Sequence, residues 1–97
     1  MNLPSISSYC YNGNYGTHAL VADVGPIRVW QSYKTPIAFH VDGHERVVRV
    51  NSWGPTTGKH LNAIDGGEPV AKKARVSGAE FERLWAEQVE PLLAATV

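Results

Sequence analysis

The segment with the clearest chemical potential covers residues 54–60 and reads Gly-Pro-Thr-Thr-Gly-Lys-His. A strand pattern precedes it and a helix pattern follows, and the start of a helix binds anions through free N–H groups. A nucleotide-binding loop needs four residues between its first glycine and Gly-Lys, then Ser or Thr. Here there are three, followed by His60. We therefore predict a looser anion site that uses Thr57 and Lys59; alternatively, the threonines only cap a helix.

The full predicted site lies in this loop and the first turns of the helix, and it comprises Trp53, Thr56, Thr57, Lys59, His60 and Asn62. Aromatic side chains on a sheet can stack unpaired bases when basic residues accompany them. The chain supplies aromatic candidates in Tyr9, Tyr11, Tyr15, Trp30 and Trp53, and basic ones in Arg28, Lys34, Lys72, Lys73 and Arg75. The alternative is that Trp30 and two tyrosines fill the core. The exposed aromatics would equally suit a protein interface.

Other chemistries find less support in the sequence. His40 and His44 flank a predicted two-residue turn, so they should point to opposite faces, and we predict no metal site. Cys10 is expected to be a small buried hydrophobe rather than a nucleophile. We predict no cofactor and no catalytic residue. A small enzyme that uses His60 or Cys10 is retained as a third alternative.

Composition favours one intracellular-type α+β domain over residues 1–97. Nine basic and nine acidic side chains cancel, so binding to nucleic acid would depend on a local patch. The single cysteine precludes an intramolecular disulfide. There is no signal-peptide pattern and no apolar stretch of about 20 residues, so we expect a cytoplasmic protein without a membrane partner.

The first half of the chain alternates with period two, which is typical of strands. The predicted strands cover residues 5–11, 15–24, 27–33, 37–41 and 44–51, with turn signals at Asn12-Gly13, Gly25-Pro26 and Asp42-Gly43. Such short connections predict an antiparallel meander of four or five strands. A two-residue turn at Asp42-Gly43 would place His40 opposite Glu45 and Phe39 opposite Arg46, although a bulge is an alternative.

Helical signals begin after residue 55. Thr56 or Thr57 should cap a short helix over residues 58–64, and residues 68–76 should form a short strand or a linker. Ser77 and Glu80 form a capping box before an amphipathic C-terminal helix that should pack on one face of the sheet. Pro91 should kink or end this helix. Because the central strands are apolar on both faces, a homodimer through the uncovered face is a candidate assembly.

Four strings, at residues 11–18, 32–39, 51–62 and 64–67, carry a resemblance to a known family. In these strings the sequence resembles an uncharacterised family of small proteins of phages and related mobile elements. The resemblance implies a viral accessory role, with residues 51–62 as the signature segment. It implies no activity and no catalytic residue.

We therefore expect a non-enzymatic binding domain whose threonine-rich corner is open to solvent. Its leading partner is nucleic acid, held at a phosphate through Thr57, Lys59 and His60. The second hypothesis, favoured by the neutral charge, is a protein-binding module that modulates a host protein.

Overall fold

The computed structural model describes residues 5–9 and 19–95. Five strands form one sheet in the order β1-β2-β3-β4-β5, and every neighbouring pair is antiparallel. The strands are β1 (Ser5–Ser8), β2 (Ala19–Val24), β3 (Ile27–Ser32), β4 (Thr35–Val41) and β5 (Val47–Val48). The predicted α+β class and meander are confirmed. The predicted Asn12-Gly13 turn, Cys10 and His18 lie outside the described residues.

Two tight turns join the central strands. Gly25-Pro26 connects β2 to β3, and Gly25 has a φ of 58°. Tyr33-Lys34 connects β3 to β4, and both residues have positive φ, 50° and 71°. Two left-handed residues in succession give the turn a backbone twist that matches the twist of the flanking strands. The hairpin therefore projects Tyr33 and Lys34 from one end of the sheet.

The connection between β4 and β5 differs from the prediction. Phe39 pairs with Val47 and Ala38 with Val48, so the loop covers residues 42–46. The predicted pairing of His40 with Glu45, and of Phe39 with Arg46, is therefore wrong. The longer loop shifts the register by one residue, which places the buried Val47 rather than the charged Arg46 beside Phe39.

Two short helices follow the sheet, α1 (Pro55–Asp65) and α2 (Pro69–Ala74). Helix α1 begins earlier than predicted, with Gly54 as N-cap and Pro55 in its first turn, where the missing N–H of proline costs nothing. It ends at Gly66, whose φ of 90° suits glycine. The predicted strand or linker at residues 68–76 is mostly α2, although Val76 forms one parallel bridge with Arg49.

The C-terminal helix has three parts: α3 (Gly78–Leu84), a π-helical segment (Trp85–Val89) and α4 (Glu90–Ala95). The Ser77 half of the predicted capping box is confirmed, since Ser77 Oγ accepts a hydrogen bond of 3.2 Å from the N–H of Glu80, while the Glu80 carboxylate accepts one from Arg83. The helix does not end before Pro91. The wider π-helical turn ends at Val89, two residues before the proline, and the N–H of Glu90 bonds to the carbonyl of Trp85, so the backbone pairing is shifted there and the helix continues.

The C-terminal helix packs on one face of the sheet, as predicted. Its cluster contains the buried residues Ile27, Phe39, Val41, Val47, Phe81 and Val89. The ring centroid of Phe39 lies 5.3 Å from that of Phe81 and 5.5 Å from that of Trp85, both in edge-to-face geometry. Such aromatic pairs add roughly 0.5–1.5 kcal/mol each to the gain from apolar burial.

Helix α1 covers part of the other face. Ala38, which points away from its neighbour Phe39, packs in a second cluster with Ile37, Val48, Leu61 and Ile64. Trp30 and Tyr9 pack against this cluster. The apolar residues on the second face that suggested a homodimer are thus used within the chain.

A buried ion pair attaches the end of α1 to the segment after α2. Two nitrogens of Arg75 donate to the carboxylate of Asp65 at 2.7 and 2.8 Å, and these side chains are only 6% and 5% exposed. Burial alone would raise the pKa of Asp65. Hydrogen bonds from Arg75 and from the N–H of Gly67, with the positive charges of Arg75 and Arg46, outweigh it and lower that pKa.

Candidate functional site

One corner of the molecule brings together the β3–β4 turn, the loop before α1 and the start of α1. We call it the Trp53 corner, formed by Tyr33, Thr35 and Trp53, which line one cavity, with Arg49 against Trp53 and Lys34 next to Tyr33 in the turn. Tyr33 is 52% exposed and Trp53 is 44% exposed, which is unusual for large aromatic side chains. These two residues are therefore the first candidates for contact with a partner.

Trp53 is held from two sides. Asn51 Oδ1 accepts a hydrogen bond of 2.9 Å from the N–H of Trp53, and Asn51 Nδ2 donates one of 3.2 Å to the carbonyl of Gly54. The guanidinium carbon of Arg49 lies 4.7 Å from the Trp53 ring centroid and 5.4 Å from that of Phe81. These cation–π contacts and the two hydrogen bonds of Asn51 fix the conformation of the loop in the absence of a partner.

Arg49 itself carries an unneutralised charge. Arg28, Arg75 and Arg83 each pair with a carboxylate, whereas Arg49 has none within 4.0 Å in the described part of the chain. Its Nε is buried and lacks a hydrogen-bond partner within the same residues. A guanidinium in this condition favours an anionic partner.

Tyr33 rests on a buried polar cluster. Its ring centroid lies 6.0 Å from that of His60. Ser32 Oγ forms hydrogen bonds of 2.7 Å to His60 Nδ1 and 3.1 Å to the hydroxyl of Thr57. Ser32, Thr57 and His60 are 3%, 7% and 0% exposed. The hydrogen bonds of this cluster connect α1 to the end of β3, and its His60 ring packs against the ring of Tyr33.

The expectation of a solvent-open corner is therefore wrong for two predicted residues, Thr57 and His60. Because α1 begins at Pro55, Thr57 belongs to the helix, and it lies with His60 on the same helical stripe as Leu61 and Ile64, which faces the sheet. Neither side chain is placed to meet a phosphate of a macromolecule.

The other predicted residues divide into two groups. Trp53 and Lys59 are exposed, and Thr56 is half-buried at the start of α1. Asn62 lies toward the far end of α1, where its Oδ1 accepts a hydrogen bond of 3.1 Å from Arg75. The structure thus keeps Trp53, Thr56 and Lys59 near the start of the helix and separates Asn62 from them.

A cavity of about 240 Å³ opens at the Trp53 corner. It is lined by Ser32, Tyr33, Thr35, Ile37, Trp53 and Thr57. Sequence reasoning missed the contribution of β3 and β4 to this site. A signal was present, because the strings at residues 32–39 and 51–62 both carry the family resemblance and the fold places them side by side.

A larger open groove of about 670 Å³ lies at the opposite end of the sheet, between the β2–β3 turn and the β4–β5 loop. Its charges are mixed: Arg28 pairs with Asp23 at 2.6 Å, and Arg46 lies 5.9 Å from the Trp30 ring centroid. His40 and His44 both line this groove, and the predicted opposite orientation fails because His44 lies in the loop at residues 42–46 rather than on a strand directly after a two-residue turn. Among described residues, no cluster of three or more His, Cys, Asp or Glu side chains could hold a metal ion.

Within the described ranges, every helix falls short of the length and apolarity needed to cross a bilayer. Comparison with curated proteins and with solved structures finds no match. One family model, described as a family of unknown function (DUF8033), matches residues 1–83. Because this match covers most of the chain, including all five strands, α1 and α2, the protein belongs to this family of unknown function.

Proposed function

We propose that this protein is a non-enzymatic binding module that holds single-stranded nucleic acid at the Trp53 corner. One observation carries the proposal: two exposed aromatic rings, Tyr33 and Trp53, share a surface with the cationic side chains of Lys34 and Arg49. Aromatic rings stack unpaired bases of any sequence, and adjacent cations hold the sugar-phosphate backbone.

The charge of the corner supports this choice of partner. The whole chain is neutral, so attraction to a polyanion must arise locally. Like Arg49, Lys34 has no carboxylate within 4.0 Å in the described part of the chain. Two phosphate contacts on a single strand, from Lys34 and Arg49, predict a slope of log affinity against log salt of about −1.4.

The rigidity of the corner also supports binding. Arg49 and Asn51 hold Trp53, and the buried Ser32–His60 pair supports Tyr33. Preformed surfaces lose less conformational entropy on binding than flexible ones. In this proposal Thr57 and His60 position the aromatic wall instead of contacting phosphate.

Fluorescence anisotropy with labelled 20-nucleotide strands of DNA and RNA tests the proposal. Trp53→Ala should weaken binding roughly tenfold to hundredfold because a stacking surface is lost. Lys34→Gln should weaken binding and reduce the salt slope by about 0.7, as expected for one lost contact with a single strand. Lys72→Gln removes an exposed lysine of α2, away from the Trp53 corner, and should change neither quantity.

No binding of either strand at about 20 mM salt, where phosphate contacts are strongest, would refute the proposal. Equal losses in Lys34→Gln and Lys72→Gln would also count against it, because binding would then not be centred on the Trp53 corner.

A protein partner is the second candidate, and it is favoured by the same three residue types. Tyr, Trp and Arg are enriched at the centres of protein interfaces, and Tyr33, Trp53 and Arg49 stand together here on a neutral chain. Because the sequence resembles phage proteins, which implies an accessory role in an infected cell, the partner would be a host protein in the host cytoplasm. Capture of one host protein by the wild type, insensitive to nuclease and lost in Trp53→Ala, would favour this candidate.

A further inference from the structure

The cavity at the Trp53 corner has walls of two kinds. Tyr33 and Trp53 contribute aromatic surface, and Ser32, Thr35 and Thr57 contribute hydroxyl groups. Among the residues that the structure describes, no charged side chain lines it, although Lys34 and Arg49 belong to the same corner. A phosphate or carboxylate inside the cavity would therefore lack an opposite charge, whereas a neutral ring with hydrogen-bonding edges would find both surfaces that it needs.

The size of the cavity restricts the ligand further. Its volume of about 240 Å³ lies below the roughly 300–1,000 Å³ of pockets that enclose drug-sized molecules. A single ring system fits this space better than a whole nucleotide. The sugar and phosphate of a strand would remain at the rim, where the lysine and arginine lie.

We infer that this cavity binds one unpaired base of a single strand, with Tyr33 and Trp53 as its walls and the hydroxyl of Thr35 as a contact to the edge of the base. The inference rests on the function proposed above and adds the number of bases that the cavity holds. Both aromatic side chains line the same cavity, so they serve one base together. Binding should then depend mainly on one base, while the neighbouring nucleotides contribute phosphates.

Thr35 is the side chain that tests the contact with the base edge. It is exposed at the first position of β4, and its hydroxyl forms no hydrogen bond within the described residues, in contrast to the hydroxyls of Ser32 and Thr57, which bond to each other. Thr35→Val replaces the hydroxyl with a methyl group and keeps a β-branched residue in the strand. The variant should fold like the wild type, which a urea unfolding curve checks.

The experiment uses five-nucleotide strands that carry abasic sites, so that each strand has no base, one central base, two bases or all five. For the wild type, the first base should raise affinity roughly tenfold to hundredfold, and each later base should add less. Thr35→Val should change the ranking of the four bases at the central position. Lys34→Gln should weaken binding to every strand by the same factor, because it meets only phosphate.

Two results would overturn the inference while leaving the proposed function intact. One is an affinity that rises by an equal factor with every added base, as for stacking on an open surface. The other is an unchanged ranking of bases in a folded Thr35→Val variant. If even the strand with five bases fails to bind the wild type, the proposed function fails as well, so the two failures are distinguishable.

Discussion

The two faces of the sheet are covered by helices that attach in different ways. On one face, α3 and the π-helical segment bury Phe81 and Val89 against Phe39, a contact between apolar side chains that the Arg49 guanidinium borders at Phe81. On the other face, α1 adds to Leu61 and Ile64 a buried polar cluster at its start and the Asp65–Arg75 ion pair at its end. The apolar contact depends on shape and volume, whereas the polar contacts depend on complete hydrogen bonding.

This difference indicates that the two faces have separate structural roles. Apolar burial gives most of the stability but little directional control, since it is proportional to area. Hydrogen bonds between Ser32, Thr57 and His60 fix the position of α1 relative to the β3–β4 turn, and the Trp53 corner lies at that junction. We infer that the C-terminal helix stabilises the fold and that α1 sets the geometry of the site.

Phe39→Ala should have the largest effect. Phe39 is fully buried and contacts two other aromatic rings, so truncation removes apolar contact and leaves a cavity. The free energy of unfolding should fall by about 3–5 kcal/mol. Urea denaturation followed by tryptophan fluorescence measures it, with exposed Val70→Ala as the control. A loss below about 1 kcal/mol would contradict the view that this face provides most of the stability.

Asp65→Asn should have the next largest effect, because it removes the charge that pairs with buried Arg75 and keeps the shape. Hydrogen bonds to a charged group contribute roughly 1.5–3 kcal/mol, so we expect a loss of about 2–3 kcal/mol at pH 7. The control is Asp23→Asn, since the exposed Asp23–Arg28 pair should contribute about 0–1 kcal/mol.

The Asp65 contribution should also depend on pH. The folded-state pKa of Asp65 is lowered, so it lies below the unfolded value of about 3.9. The stability that comes from the ionised carboxylate is therefore complete well above pH 4 and is lost as the pH falls through the folded-state pKa. The gap in urea midpoint between wild type and Asp65→Asn should narrow in that acid range. A constant gap from pH 7 to pH 2 would show that ionisation of Asp65 is not its source.

Ser32→Ala should cost about 1–3 kcal/mol, because it leaves the hydroxyl of Thr57 and Nδ1 of His60 without their shared partner in a buried place. Hydrogen exchange should show faster opening of α1 than of α3. Equal acceleration in both helices would contradict the separate role assigned to the polar face. Exposed Ser52→Ala serves as the matched control.

Ser77→Ala should have the smallest effect, about 1 kcal/mol, since it removes one cap from a helix held mainly by apolar packing. Thermal unfolding measures the change, again against Ser52→Ala. A loss as large as that of Phe39→Ala would mean that the cap, rather than the aromatic cluster, holds the C-terminal helix.

The sequence predicted those features that depend on local patterns. The alternating strands, the turn at Gly25-Pro26 and the Ser77 cap follow from nearest neighbours in the chain, and all are present. The start of α1 was placed too late because Thr56 and Thr57 are better caps than Gly54 by propensity, while Pro55 favours the earlier start. That error of about one turn left Thr57 outside the helix, whereas the inward orientation of His60 follows from its spacing to Leu61 and Ile64 wherever the helix begins.

The candidate site was predicted only in part for a different reason. Trp53 and Lys59 lie in a segment that can be recognised locally. Arg49 and Tyr33 join it only because the meander and the left-handed Tyr33-Lys34 turn bring distant residues together. Likewise, the relative orientation of His40 and His44 depends on the length of the β4–β5 loop. The pairing of Phe39 with Val47 sets that length, and turn propensity does not.

The two edges of the sheet have a consequence for self-association. At the β5 edge, the N–H of Val76 bonds to the carbonyl of Val48 and the carbonyl of Val76 to the N–H of Val50, so these groups are already occupied. Within the described ranges, β1 is the outermost strand at the other edge, where Ile6 is 67% exposed. If copies join by strand addition, a protein with one blocked edge closes as a pair and cannot propagate into a fibre.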